Sequence, residues 1–238
     1  MNKKRAFLIL VALFTGGAVP IQLVTLSFGY AEYVKDVSLG PRIIRVAHEF
    51  ASGYIPFVYI PALLILLWII FYSKKRYRDL FRRIVVGLGV GALATVSLDY
   101  FREMGVINGW LPGDTVAMFG KMGTGSRSFS VYYPAGAFIH FMNGANFGLF
   151  YTFVWGKQKN YSKSVFWAVV WLLMMELGMM IGPPMAPIVG LFGINFAWPQ
   201  YFLLTLTAHI TFGIVLGILS QYLLTDADRG GLLPFLKG

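Results

Sequence analysis

The chain contains no cysteine. That excludes disulfides, thiolate metal sites and thiol redox chemistry. Charge is also scarce: Asp, Glu, Lys and Arg make up 13% of the 238 residues, against roughly 25% in soluble domains. Acidic side chains are scarcer than basic ones, ten against twenty, and histidine occurs three times. The fingerprints of the commoner enzyme chemistries are missing too. There is no P-loop, no G-x-S-x-G, no H-E-x-x-H and no dinucleotide motif. The stretch KMGTGSRS (121–128) lacks both the lysine position and the preceding strand of a phosphate loop. An enzyme is therefore the less favoured class.

Apolar residues are what the chain does have, at 57% of the total. Too little polar surface is left to cover one soluble core, so the composition predicts a polytopic membrane protein. Six hydrophobic stretches run from Ala6 to Phe28, Tyr54 to Tyr72, Ile84 to Tyr100, Ser130 to Val154, Ser164 to Ile181 and Tyr201 to Leu224. Each approaches the ~20 residues that carry a helix across ~30 Å of hydrocarbon. A membrane β-barrel would show alternating segments of about ten residues, and none occur. The expected fold is all-α, a bundle of about six transmembrane helices.

Basic residues set the expected orientation. With the amino terminus inside, the inner segments hold Lys3, Lys4, Arg5, Lys74, Lys75, Arg76, Arg78, Arg82, Arg83, Lys157, Lys159, Lys163, Arg229 and Lys237. The outer loops hold Lys35, Arg42, Arg45, Arg102, Lys121 and Arg127. Fourteen against six predicts both termini in the cytoplasm and a place in the cell inner membrane. The cluster SKKRYRDLFRR (73–83) then reads as an anchor beside anionic lipid rather than a nucleic-acid site. The start, MNKKRAFLILVALFTGGAV, has the layout of a signal peptide. Its apolar run continues through IQLVTLSF, however, and no A-x-A site closes it, which favours an uncleaved first helix.

Residues 1–80 read as a transmembrane hairpin with an outer interfacial loop, and 81–238 as a four-helix core. In the first outer loop (29–53), PRIIRVAHEFASGY has the spacing of an interfacial helix. In the second, Asp114 is placed to cap a short helix, DTVAMFGKM. The third, GPPMAPIVGLFGINFAWPQ (182–200), is apolar but broken by prolines and glycines, as expected of an outward cap or shallow re-entrant segment. The tryptophans at 68, 110, 155, 167, 171 and 198 fall mostly near predicted membrane ends, as in interfacial belts.

One spacing occurs twice: HFMNGANFG (140–148) and HITFGIVLG (209–217), each H-x-x-x-G-x-x-x-G. The two copies fall in the fourth and sixth predicted helices, which run parallel, and both histidines lie roughly 13 to 15 Å below the outer end. The arrangement reads as a parallel repeat of one helix–loop–helix unit. With GALAT (91–95), HFMNGANFGLFY (140–151), MMELGMM (174–180) and HITFGIVLG, residues 85–224 loosely resemble a family of small bacterial four-helix membrane proteins of unknown function. That resemblance implies a shared bundle and no particular activity; residues 1–80 lie outside it.

Two roles fit the repeated motif. G-x-x-x-G spacing is a common means of close helix contact in lipid, and Gly144 with Gly148, and Gly213 with Gly217, match it. Each histidine would then hydrogen-bond to a neighbouring helix, with Asn143, Asn146, Thr207 or Thr211 as partners. Alternatively, His140 and His209 at equal depth are a possible axial pair for haem b, and the same four glycines would clear room for the porphyrin edge. Packing is the favoured reading. His48 falls in an outer loop, which disfavours a three-histidine zinc site.

Glu176 sits in mid-helix in WLLMMELGMMIG. A carboxyl there must be neutral or paired. It is read as a proton carrier, a partner of either histidine or an ion ligand, against the plainer role of fixing bundle register. Asp99, beside Arg102 and Glu103, reads as interfacial. Met174, Met175, Met179 and Met180 have the soft donors of a copper(I) site, although methionines more often fill packing gaps. These features predict a non-catalytic membrane subunit or scaffold. A haem b electron-transfer subunit (His140, His209) and a small proton- or ion-coupled transporter (Glu176) are the alternatives. The expected partners are the lipid bilayer and other membrane subunits or further copies of the chain, with no nucleic acid.

Overall fold

The computed structural model describes residues 3–34 and 42–232. Six long helices account for most of them: α1 (Lys3–Tyr33), α2 (Arg42–Arg76), α3 (Arg78–Ile107), then, after a short α4 (Thr115–Thr124), α5 (Phe129–Val154), α6 (Tyr161–Ile181) and α7 (Gln200–Leu223). No strand is present among the described residues; the one β-bridge joins Lys157 to Arg229. α1, α2, α3, α6 and α7 are long and apolar enough to cross a membrane. α5 is long enough as well, at 26 residues or about 39 Å. Pro134, His140, Asn143, Asn146 and three glycines lower its hydropathy. From Ile139 onward this helix is largely enclosed by protein, packing against α1, α3 and α4. Apolar side chains such as Phe7, Phe57, Leu64, Phe71 and Leu93 instead point outward.

Helix ends differ from the hydrophobic stretches in sequence for one reason: charged residues that pair with protein still belong to helices. PRIIRVAHEFASGY is helical from Arg42, but α2 is continuous from there to Arg76 instead of breaking into an interfacial helix and a span. Ile43, Ala47 and Ala51 pack with Val24, Phe28 and Ala31 of α1 and with Phe119 and Met122 of α4. His48 is in this helix and contacts the Met122 carbonyl through Nδ1 at 2.7 Å. The part of the first outer loop at 35–41 lies outside the described residues. α4 starts where expected, with the Asp114 carboxylate accepting from the Val116 N–H at 2.9 Å, an N-cap. Residues 182–199 fold into turns, with short helical turns at Ala186–Val189 and Leu191–Gly193.

Glycines set the closest helix approaches. A Cβ on Gly91 would overlap the Gly144 carbonyl, and one on Gly148 would overlap the Gly87 carbonyl, so α3 and α5 meet backbone to backbone. Gly120 and Gly136 do the same between α4 and α5. On the other side of the bundle, a Cβ on Gly213 or Gly217 would lie 2.7 Å from Val169 Cα or 2.6 Å from Val165 Cα of α6. Ser164 adds a hydrogen bond to the Gly217 carbonyl, 2.8 Å.

At the end of the bundle opposite α4, the cluster SKKRYRDLFRR divides. Lys74, Lys75, Arg76 and Arg78 are exposed, whereas Arg83 is fully buried. Its guanidinium donates to the carbonyls of Thr152 (2.9 Å), Asp228 (2.6 Å) and Gly230 (3.1 Å), and Arg82 pairs with Asp228 at 2.5 Å. One arginine thus satisfies the end of α5 and holds down the chain that follows α7.

Gly148→Leu should destabilise the detergent-solubilised protein by about 2 kcal/mol or more, since overpacking a close contact forces backbone shifts. Gly89→Ala, at a position with open space around it, should leave thermal unfolding unchanged. Arg83→Met should cost at least about 2 kcal/mol in the same measurement, because it leaves several buried carbonyls unpaired.

Candidate functional site

Four helices turn one stripe each toward a common space at the α4 end of the bundle. α3 presents Thr95, Leu98 and Arg102, α5 presents His140, Asn143, Gly144 and Phe147, α6 presents Met175 and Met179, and α7 presents Tyr201, Thr205, Ala208, His209 and Phe212. The spacing of three and four residues is that of one helix face. α1, α4 and the segment 183–185 close the space, leaving a cavity of about 330 Å³. This lies at the small end of the roughly 300–1,000 Å³ typical of ligand pockets.

His140 and His209 both line this cavity, but their surroundings differ. His140 Nε2 lies 2.8 Å from Asp99 Oδ1, so that nitrogen carries the proton and donates to the carboxylate. Asp99 in turn accepts from Arg102 Nε at 2.9 Å. Arg102 also pairs with Glu103 (2.7 Å) and with Asp114, the N-cap of α4. The chain Asp114–Arg102–Asp99–His140 therefore joins α4, α3 and α5, and all three guanidinium nitrogens are committed to carboxylates.

His209 Nδ1 donates to the Thr205 carbonyl of its own helix at 2.8 Å. Its other nitrogen, Nε2, then carries a lone pair. Glu176 lies behind it, with Oε2 4.0 Å from His209 Nδ1 and its side chain 3% exposed. Neither Glu176 oxygen accepts a hydrogen bond, although the Thr205 side chain lies beside them, its hydroxyl turned to the Tyr201 and Phe202 carbonyls. Asn143 Oδ1 and the Tyr201 hydroxyl are likewise buried without partners.

Several residues singled out from the sequence therefore meet here. His140 and His209 share the cavity, and Glu176 adjoins it beside His209. Gly144 lines the cavity while packing on Thr95; Gly148, Gly213 and Gly217 lie in the helix contacts described above and are not part of the lining. The histidines bond to Asp99 and to a backbone carbonyl, not to Asn143, Asn146, Thr207 or Thr211. Met175, Met179 and Met180 line the cavity with Met185, whereas Met174 points outward. Among the described residues no group of three or more His, Asp or Glu is placed to hold a metal. Sequence reasoning missed Asp99 as the partner of His140, and Asn143, Thr205 and Tyr201 as cavity residues. The i, i+3, i+4, i+7 stripe through each histidine is the signal that points to the last three.

Compared with known proteins, the chain matches no family model, no curated protein and no solved structure.

Arg102→Leu should destabilise the protein by about 1–3 kcal/mol, the cost of removing the shared donor of several partly buried carboxylates. Arg102→Lys should fall between it and the wild type in thermal unfolding.

Proposed function

We propose that this is a six-span integral membrane protein, both ends cytoplasmic, that binds a small, mainly apolar ligand in the cavity between His140 and His209, as a carrier or small transporter would. The observation that supports this most directly is the cavity itself. Two histidines, Asn143 and Tyr201 converge on an apolar space with polar atoms left unbonded, the usual make-up of a ligand site. Glu176, buried next to His209, supplies the ionisable group that coupled transport requires. A purely structural subunit in the cell inner membrane, favoured by composition, leaves this cavity without a role. The glycines of the repeated motif serve helix contact in this reading, and the histidines serve the cavity.

Ala208 faces the cavity, so Ala208→Trp should fill it. In detergent, the wild type should bind a neutral apolar probe such as pyrenemethanol saturably at one site, and Ala208→Trp should remove that binding while remaining folded. Equal uptake by both proteins would overturn the reading. Because the chain has no cysteine, single cysteines at Ser162 and Gly113 should react with impermeant maleimide from the cytoplasmic and outer sides respectively.

A haem b reading is favoured by one observation: both histidines open onto the same cavity. His209 has its Nδ1–H anchored and its Nε2 available, as a haem ligand requires. In His140 the corresponding nitrogen is engaged by Asp99. The reduced-minus-oxidised optical spectrum distinguishes the readings. b-type bands lost in His209→Ala would establish haem, and a colourless folded protein would eliminate it.

A further inference from the structure

At the end of the bundle opposite α4, α1 begins where α2 ends. Leu8 and Ile9 of α1 pack with Leu66 and Ile69 of α2, which brings Lys4 beside Tyr72. Lys4 Nζ lies 5.3 Å from the centre of the Tyr72 ring, and the Arg76 guanidinium lies 5.0 Å from it. Arg76 Nη1 also donates to the Tyr72 hydroxyl at 3.1 Å. Two exposed cations from different helices thus converge on one neutral phenol. Like charges so placed repel unless an anion lies between them. The protein supplies none. Among the described residues, the acidic side chains at this end are Asp79, Asp226 and Asp228, and each faces another cation. Asp79 pairs with Arg5 at 2.5 Å, Asp228 with Arg82 at 2.5 Å and Asp226 with Arg229 at 3.1 Å.

We propose that Lys4, Tyr72 and Arg76 bind the phosphate of an anionic phospholipid. They offer an ammonium, a hydroxyl and a guanidinium, a set of donors that suits phosphate oxygens. Toward the middle of the bundle the surface next to them turns apolar. Phe7, Leu10 and Phe14 are exposed on α1, and Leu64 and Trp68 on α2, at the spacing of one face on each helix. Trp68 stacks on Tyr72 with ring centres 5.2 Å apart. A soluble phosphate would use the donors alone, whereas a lipid sets its headgroup on them and its chains along both stripes. Lys74, Lys75 and Arg78 are exposed at the same end, but among the described residues they enter no ring contact or ion pair. One headgroup site is therefore built into a cluster that otherwise offers only diffuse charge. It is remote from the cavity and requires only that α1 and α2 cross the membrane.

Lipid retention by the detergent-solubilised full chain tests this. The protein is exposed to equimolar phosphatidylglycerol and phosphatidylcholine with the same acyl chains, freed of excess by gel filtration, and weighed by native mass spectrometry. The wild type should hold one phosphatidylglycerol per chain at least about ten-fold more tightly than phosphatidylcholine. Lys4→Gln/Arg76→Gln should lose that preference, and Tyr72→Phe should weaken it a few-fold. Lys75→Gln/Arg78→Gln removes the same charge from the same end and should keep it. Inorganic phosphate should displace the lipid no more than chloride does at equal ionic strength. Equal retention of the two lipids by the wild type would overturn the proposal. So would a preference that survives Lys4→Gln/Arg76→Gln, or one lost equally in both double variants. Displacement by phosphate would assign the site to a soluble anion and overturn the lipid. Every one of these outcomes leaves the ligand-binding reading of the cavity as it stands.

Discussion

The backbone contact between α3 and α5 is the constraint on which the rest depends. Gly87 and Gly91 face Gly144 and Gly148 with no room for a side chain on either helix. At that separation His140 comes within hydrogen-bonding distance of Asp99. Asp99 then holds Arg102 beside Asp114, so the start of α4 is fixed by the same contact. Larger residues at the contact would push α5 away and break a polar chain that lies about one to two turns further along. Small residues and buried charges are thus two parts of one arrangement, the first setting the spacing that the second requires.

α5 shows how a helix with histidine, two asparagines and a proline can take its place among apolar ones. Its polar positions face protein: His140 meets Asp99, Asn143 meets the cavity, and Trp171 Nε1 donates to the Phe147 carbonyl at 3.0 Å. Burying a polar group away from any partner costs several kcal/mol in hydrocarbon, so these side chains restrict α5 to an interior position. The hydropathy of α6 and α7 allows them to face lipid, and Met174, Leu177, Ile214 and Ile218 do point outward.

The periodic apolar stretches and their lengths were enough to foresee six long helices, and Asp114 to foresee the cap of α4, because these depend on residues close together in sequence. The helix ends were less legible. Hydropathy drops at Arg82 and Arg83, yet the helix continues through them, since their partners Asp228 and Gly230 lie some 146 residues away. The histidine spacing placed both rings at one depth, and the cavity they share follows from that. Which atom each ring would bond was not readable. His140 finds a carboxylate 41 residues distant on another helix, while His209 turns to a carbonyl four residues behind it. Glycine spacing announced close contact but not its partner, and the two copies chose different ones, α3 for α5 and α6 for α7.

That last difference has a mechanical consequence. α3 with α5, and α6 with α7, form two seamed pairs. Tyr151, on α5, pins one pair to the other by donating to the Ser164 carbonyl at 2.8 Å, at the end far from α4. The pairs also meet along α3 and α7, where Val90 and Ala94 pack with Phe212 and Leu216 and, at the α4 end, the Leu204 side chain lies against Gly105. The cavity is therefore a gap inside a bundle tied together at both ends, with Pro183, Pro184 and Met185 among its walls. Such a frame holds the space between His140 and His209 as an arch does, by the fit of its sides.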